Sequence, residues 1–198
     1  MNMTYEALKA LVSQNRSYRR FDGTRAVTGE EMEQMIDLCR LSPSGANHQA
    51  LRFRPVTDRD ECAKVYATLK WAAALPDWDG PIPEERPRGY VIFLCDKSVA
   101  QTKPYDVGIM GQSLLLGAAS LGLGGCMLLS VDRPALSRAL EINTEKYAVE
   151  LVIALGRPVE EVSIVPLEEG GDVRYYRDGE GHHFVPKRAL SDLIVSGK

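Results

Sequence analysis

The sequence predicts an α+β domain, and three observations carry that prediction. Amphipathic helical stretches and short apolar runs of strand length interleave along the 198 residues, with no internal repeat. The glycine cluster Gly122-Leu123-Gly124-Gly125 follows a helix and precedes a strand. A parallel dinucleotide-binding unit needs the order strand, glycines, helix, so the fold is not of that kind. Near the end, Asp178-Gly179-Glu180-Gly181 lies between two β-rich runs, which is a hairpin signal.

The elements follow in order. Residues 4–14 form a first helix, with Tyr5, Leu8, Leu11 and Val12 at helical spacing and Thr4 as cap. A second helix opens at Thr28, where Thr28-Gly29-Glu30-Glu31 has capping-box spacing. It presents Met32, Met35, Ile36, Cys39 and Leu41 to the core and stops at Pro43 and Gly45. Residues 51–57 make a short strand whose Pro55 belongs at a sheet edge. Residues 60–74 read as a helix with Cys62, Val65, Leu69 and Ala73 along one side. The proline-rich stretch 75–88 is a loop, with Trp71 beside it and Trp78 inside it. It is either a substrate lid or a packed irregular segment.

The continuous apolar run from Tyr90 to Cys95 is a central strand covered on both faces. Residues 105–121 form an apolar helix whose glycines permit close backbone contact, in the core, at a subunit interface, or both. Gly122 to Gly125 turn the chain into a strand at 126–130. Asp132 opens a short helix with Pro134 in its first turn. Residues 151–156 are a third buried strand, closed by Arg157-Pro158. The hairpin joins 173–177 to 182–185, and a last helix covers 186–194.

Composition bounds the function. The chain has 27 acidic and 24 basic residues, a net charge of −3, and 44% apolar residues, which fits one soluble domain spanning residues 1–198. There is no apolar run of membrane-spanning length and no apolar signal region, so the default location is the cytoplasm. Cys39, Cys62, Cys95 and Cys126 form no CxxC pair and fit no zinc spacing. His182 and His183, adjacent in a strand, point to opposite faces, so no metal site is predicted.

Against that slightly acidic background, Arg16-Ser17-Tyr18-Arg19-Arg20 packs three guanidinium groups and a hydroxyl into five positions. Guanidinium forks bind phosphate through paired, charge-assisted hydrogen bonds. A localised knot suits a small phosphorylated ligand rather than nucleic acid, which needs a basic face. A second signal is Ser42-Pro43-Ser44-Gly45-Ala46-Asn47-His48-Gln49, in which two side-chain amides follow a helix stop and precede a strand. Amides offer both donors and acceptors, as the edge of a planar heterocycle requires.

Taken in order, these motifs resemble the nitroreductase family of flavin-dependent oxidoreductases. The resemblance continues through Gly122-Leu123-Gly124-Gly125-Cys126 and Val152-Ile153-Ala154-Leu155-Gly156-Arg157-Pro158 to the basic pair Lys187-Arg188, nearly the whole chain. It implies a mixed, mainly antiparallel sheet wrapped by helices in an intertwined homodimer. The segment 171–198 would reach the partner subunit, and FMN would sit at the interface. It assigns Arg16 and Ser17 to the phosphate, and Arg19 to the flavin edge where negative charge grows on reduction. Asn47 goes to the pyrimidine edge with Gln49 nearby, the backbone at Gly124, Gly125 and Cys126 to the ring, and Lys187 or Arg188 to the phosphate.

Implied too are NADH or NADPH as donor and a small aromatic acceptor, nitroaromatic or quinone-like, with no catalytic side chain beyond the flavin. The rival readings are a specialised relative, such as a dehalogenase or biosynthetic dehydrogenase, and a flavin-binding dimer without turnover. Two departures stand out. Ala50-Leu51 replaces the Pro-Trp of many relatives, and Asn15 stands where many carry a second arginine.

Overall fold

The computed structural model describes residues 3–72, 75, 77–99 and 104–195. Its α-helices are α1 (Tyr5–Gln14), α2 (Gly29–Leu41), α3 (Arg59–Tyr66), α4 (Pro104–Ser120) and α5 (Arg133–Ala139). Its strands are β1 (Leu51–Val56), β2 (Gly89–Asp96), β3 (Gly124–Leu128), β4 (Tyr147–Gly156), β5 (Val162–Pro166), β6 (Tyr176–Arg177) and β7 (His183–Lys187). Four strands form an antiparallel sheet in the order β1-β2-β4-β3. The other three form a small mixed sheet, β5-β7-β6, in which β5 and β7 run parallel.

The central sheet is buried on both faces, and strand alternation divides its side chains between two cores. Val91, Phe93, Leu151, Ile153 and Leu155 meet Met32, Met35 and Cys39 of α2 and Met110, Leu114 and Ala118 of α4. Tyr90, Ile92, Leu94, Val152 and Ala154 meet Cys62 and Val65 of α3, Leu136 of α5, and Trp71. Each fully buried side chain of this size contributes about 1.5–3 kcal/mol relative to exposure.

Most predicted elements recur. Thr4 and Thr28 cap α1 and α2, the latter with its capping box closed by Glu31. Pro55 lies on an edge strand, and β2 is buried along its length. Asp178 accepts the amides of Glu180 and His182 and so closes the hairpin turn.

Several expectations need correction. The helix expected at 60–74 stops at Tyr66, because Thr68 turns its hydroxyl onto Val65 O and the chain zips against residues 130–132. Residues 73–74 lie outside the described part. Gly124 and Gly125 are not in a turn but in β3, paired with Gly156 and Leu155. The helix expected at 186–194 is a strand end followed by one 3-10 turn, Leu190–Leu193. Pro186 fits β7 because β6 pairs only with His183 and Phe184, leaving one flank without a ladder. β5 was not anticipated. Leu41, expected in the core, is exposed, and α1 buries none of its residues. Among the described residues no helix is long and apolar enough to cross a membrane.

Candidate functional site

The basic segment leaves α1 and lies along the free edge of β3. Ser17 bridges Gly125, and the Tyr18 amide donates to Gly125 O at 3.0 Å. Further on, Phe21 bridges Pro158 and the Asp22 amide donates to Arg157 O. Glycine is required on β3, at Gly124 for this approach and at Gly125 for the pairing with β4. A Cβ on Gly124 would stand 2.5 Å from the Tyr18 ring, and one on Gly125 would stand 2.4 Å from Ala154 O.

Glu160 fixes the segment from below. Its buried carboxylate accepts the amides of Arg19 and Arg20 through Oε1, and the Arg177 guanidinium through Oε2 at 2.8 Å. His183 Nδ1 lies 3.9 Å from Oε2, too far for a hydrogen bond. Burial opposes ionisation of Glu160. The imidazole, the two amides and the guanidinium outweigh it and hold the carboxyl below its usual range.

Above this anchor is a cavity of about 340 Å³. Arg16, Ser17, Arg19 and Lys187 line it, with Asn15, Gln112, Leu115, Met127, Tyr175, His183 and Val185. Among the described residues no carboxylate pairs with the side chains of Arg16, Arg19 or Lys187. Arg16 gives one nitrogen to Val12 O at the end of α1, while its Nε is buried without a partner. Three cations without carboxylate partners and a hydroxyl around one cavity suit a dianion.

A second cavity, about 360 Å³, shares Arg19, Met127 and Tyr175 with the first. Its walls are more apolar: Trp71, Ala72, Cys126, Leu128 and Leu129, with Lys70 and Ser130. The Arg19 guanidinium lies 4.7 Å from the centroid of the Tyr175 ring, at the boundary of the two chambers. Cys126 is buried, and burial pushes its thiol up against the pull of Arg19, so it is a wall rather than a thiolate nucleophile.

The fold thus gathers Arg16, Ser17, Arg19, Cys126 and Lys187, and leaves out the other residues singled out in the sequence. Arg188 lines a different surface cavity. Arg20, expected near solvent, is held by both carboxylate oxygens of Glu85 at 2.6 and 2.7 Å. Gly124 and Gly125 act through packing and line neither chamber. Asn47 and Gln49 are exposed and line neither chamber. They precede β1 at one edge of the sheet, whereas Gly125 lies on the other edge and is level with the opposite end of β2. Three strand spacings and six residues of rise put Leu51 and Gly125 roughly 25 Å apart.

Sequence reading missed Glu160, Tyr175 and His183. Strand alternation carries the signal for one of them: His183, Val185 and Lys187 share one face of β7, so a cavity role for Lys187 brings His183 with it. Asn15 is not an idle replacement, since it is buried and reaches Gln112 of α4 at 3.4 Å.

The chain is similar to known proteins over most of its length. An oxygen-insensitive NADPH nitroreductase of Helicobacter pylori is 25% identical over 191 residues, covering 80% of this chain and 90% of the relative. A protein of Archaeoglobus fulgidus, named as an NADH dehydrogenase or NAD(P)H nitroreductase, is 26% identical over 164 residues, covering 79% and 87%. Among solved structures, a protein from Desulfovibrio desulfuricans, assigned as a nitroreductase and solved in complex with FMN, superposes with a TM-score of 0.70 at 21% identity, covering 98% of this chain and 99% of that one. The profile of the nitroreductase family matches residues 12–88 and 96–157, well over half of the sequence. By that match and by its fold, the chain belongs to the nitroreductase family.

Proposed function

We propose that this protein is an FMN-dependent oxidoreductase that takes hydride from NADH or NADPH and reduces a small aromatic acceptor, nitroaromatic or quinone-like. The observation that carries this reading is the two-chambered site. One chamber holds three cations without carboxylate partners, and the other is walled by Trp71, Leu128 and Leu129. A phosphate suits the first and a flat ring the second. The buried, unpartnered Arg16 Nε is a donor for which FMN phosphate supplies the acceptor. When bound, FMN supplies the redox chemistry, accepting hydride from the nicotinamide and passing it to the acceptor.

The protein's part is to bind, orient and shield. Arg16, Ser17 and Lys187 hold the phosphate. Arg19 sits at the junction of the chambers, where its fixed positive charge favours the reduced, more anionic ring. Trp71 and Leu129 exclude water from one wall of the ring chamber. Asn47 and Gln49 come from a second copy, since within one chain they lie at the far corner of the sheet. The exposed apolar residues of α1 and α4, and those that end the chain, give that second copy a surface to bind.

The test is the visible spectrum of the purified protein after FMN is added, read again after anaerobic addition of NADH and then of NADPH. Bound flavin that bleaches supports the reading, and the faster donor gives the preference. Flavin that binds but stays oxidised sinks the oxidoreductase assignment. No flavin binding sinks the cofactor assignment as well.

A further inference from the structure

Arginine is distributed unevenly in this protein. Arg20, Arg25, Arg40, Arg52, Arg54, Arg157, Arg174 and Arg177 each pair with a carboxylate. Arg16 and Arg19 face the chambers already described. Six others have no carboxylate partner among the described residues; Arg133, Arg138 and Arg188 lie elsewhere, and Arg59, Arg86 and Arg88 all line a separate cavity of about 340 Å³. This cavity shares no lining residue with either chamber. It opens between α3, the residues entering β2 and the loop at Gly23 and Thr24.

A second observation is independent of charge. Among the described residues, seven buried side-chain nitrogen or oxygen atoms have no hydrogen-bond partner. Three of them belong to residues of this one cavity: Arg86 Nε, Arg88 Nε and Tyr90 Oη. Tyr90 is fully buried, so its hydroxyl has no bulk water to turn to. Two neighbouring groups do have partners. Tyr66 Oη donates to Pro81 O at 3.0 Å, and the Arg86 guanidinium stacks 4.0 Å from the Tyr66 ring centroid. Buried donors without acceptors are rare and mark a missing acceptor.

We propose that this cavity is a second ligand site, for the phosphate group of a small molecule, distinct from the two-chambered site. Three guanidinium groups against the single carboxylate of Glu84 leave a net charge that suits a dianion better than a monoanionic carboxylate. Donors without acceptors select for an oxyanion rather than a cation. Pro83, Pro87 and Ala63 add apolar wall, which suits a phosphate monoester as well as the free ion.

Equilibrium dialysis tests this with two probes, inorganic phosphate and glycerol 3-phosphate, and acetate as control. Saturable phosphate binding is expected in Arg16→Gln, which cripples the first chamber. Binding to this site should weaken roughly tenfold or more in Arg88→Gln and in Arg86→Gln. Tyr90→Phe keeps the packing and removes only the orphan hydroxyl, so it should fold and still weaken binding. Tighter binding of the monoester assigns the site to a phosphorylated metabolite, and tighter binding of the ion to free phosphate; both support it. The proposal is overturned if phosphate binding is lost in Arg16→Gln and unchanged in the Arg86 and Arg88 variants. It is equally overturned if acetate binds as tightly as phosphate, or if no saturable binding occurs.

Discussion

Glu160 accepts two consecutive backbone amides and one guanidinium, so it sets the direction in which Arg19 points. Removing its charge leaves the partly buried Arg177 without its counter-ion. Glu160→Gln should therefore cost about 2–3 kcal/mol, a fall of roughly 5–10 °C in melting temperature for a chain of this size. The pH dependence has a definite sign. The folded-state pKa lies below the ordinary value of 4.5, so the contribution of Glu160 is complete above that value. It fades as pH falls through the lower, folded-state value. The gap in melting temperature between wild type and Glu160→Gln should be flat above about pH 5 and close in acid. A gap that widens in acid would refute the assignment. Among the cations, Arg16→Ala and Lys187→Ala should each weaken FMN binding by at least about tenfold, and Arg188→Ala by less than about twofold, measured by flavin fluorescence quenching. The cations were legible in the sequence because clustered charge needs a local cause. Glu160 was not, because Glu160-Glu161 after a proline looks like any solvated pair, and only the tertiary fold shows which of the two is buried.

At the level of elements, the segment 45–49 is the most constrained piece of backbone. Ala46, Asn47 and Gln49 have φ of 48°, 55° and 52°, the left-handed region that side chains disfavour. Ala46 has no assigned role, so Ala46→Gly should stabilise the protein by about 0.5–1 kcal/mol, seen as a raised urea midpoint, with FMN affinity unchanged. Asn47→Gly relieves the same strain but removes the amide, so stability should rise while FMN affinity falls. Strain retained against stability is what a functional turn predicts. The sequence made this turn legible through its proline and glycine, and β2 and β4 through unbroken apolar runs. It hid the end of α3, because Leu69 and Ala73 continue a helical period while the tertiary pairing of residues 68–70 with 130–132 overrides it. The end of β7 was hidden too, since Pro186 reads as a helix start until its strand proves to lack a neighbour on one flank.

As a whole molecule, on the function proposed above, one chain supplies only part of the flavin site. Tyr5 is 72% exposed on α1, Tyr105 is 63% exposed on α4, and Leu190, Leu193 and Ile194 are exposed near the end of the described chain. Surfaces of this kind on a folded chain mark an association site, and a two-fold dimer places the same patch on both copies. Sedimentation should then give twice the 21.9 kDa of one chain. The sharper consequence concerns where Asn47 acts. In a dimer whose flavin touches Arg16 of one copy and Asn47 of the other, Arg16→Ala and Asn47→Ala each damage both sites of a homodimer. Unfolding and refolding the two variants together makes about half of the dimers mixed. Each mixed dimer carries one doubly damaged site and one intact site, so about a quarter of all sites should regain wild-type FMN affinity. If Arg16 and Asn47 served the same site from one chain, every site in the mixture would keep one defect and no high-affinity fraction would appear. The fraction bound tightly in a flavin titration of the mixture therefore decides between a site completed across the interface and one contained within a chain.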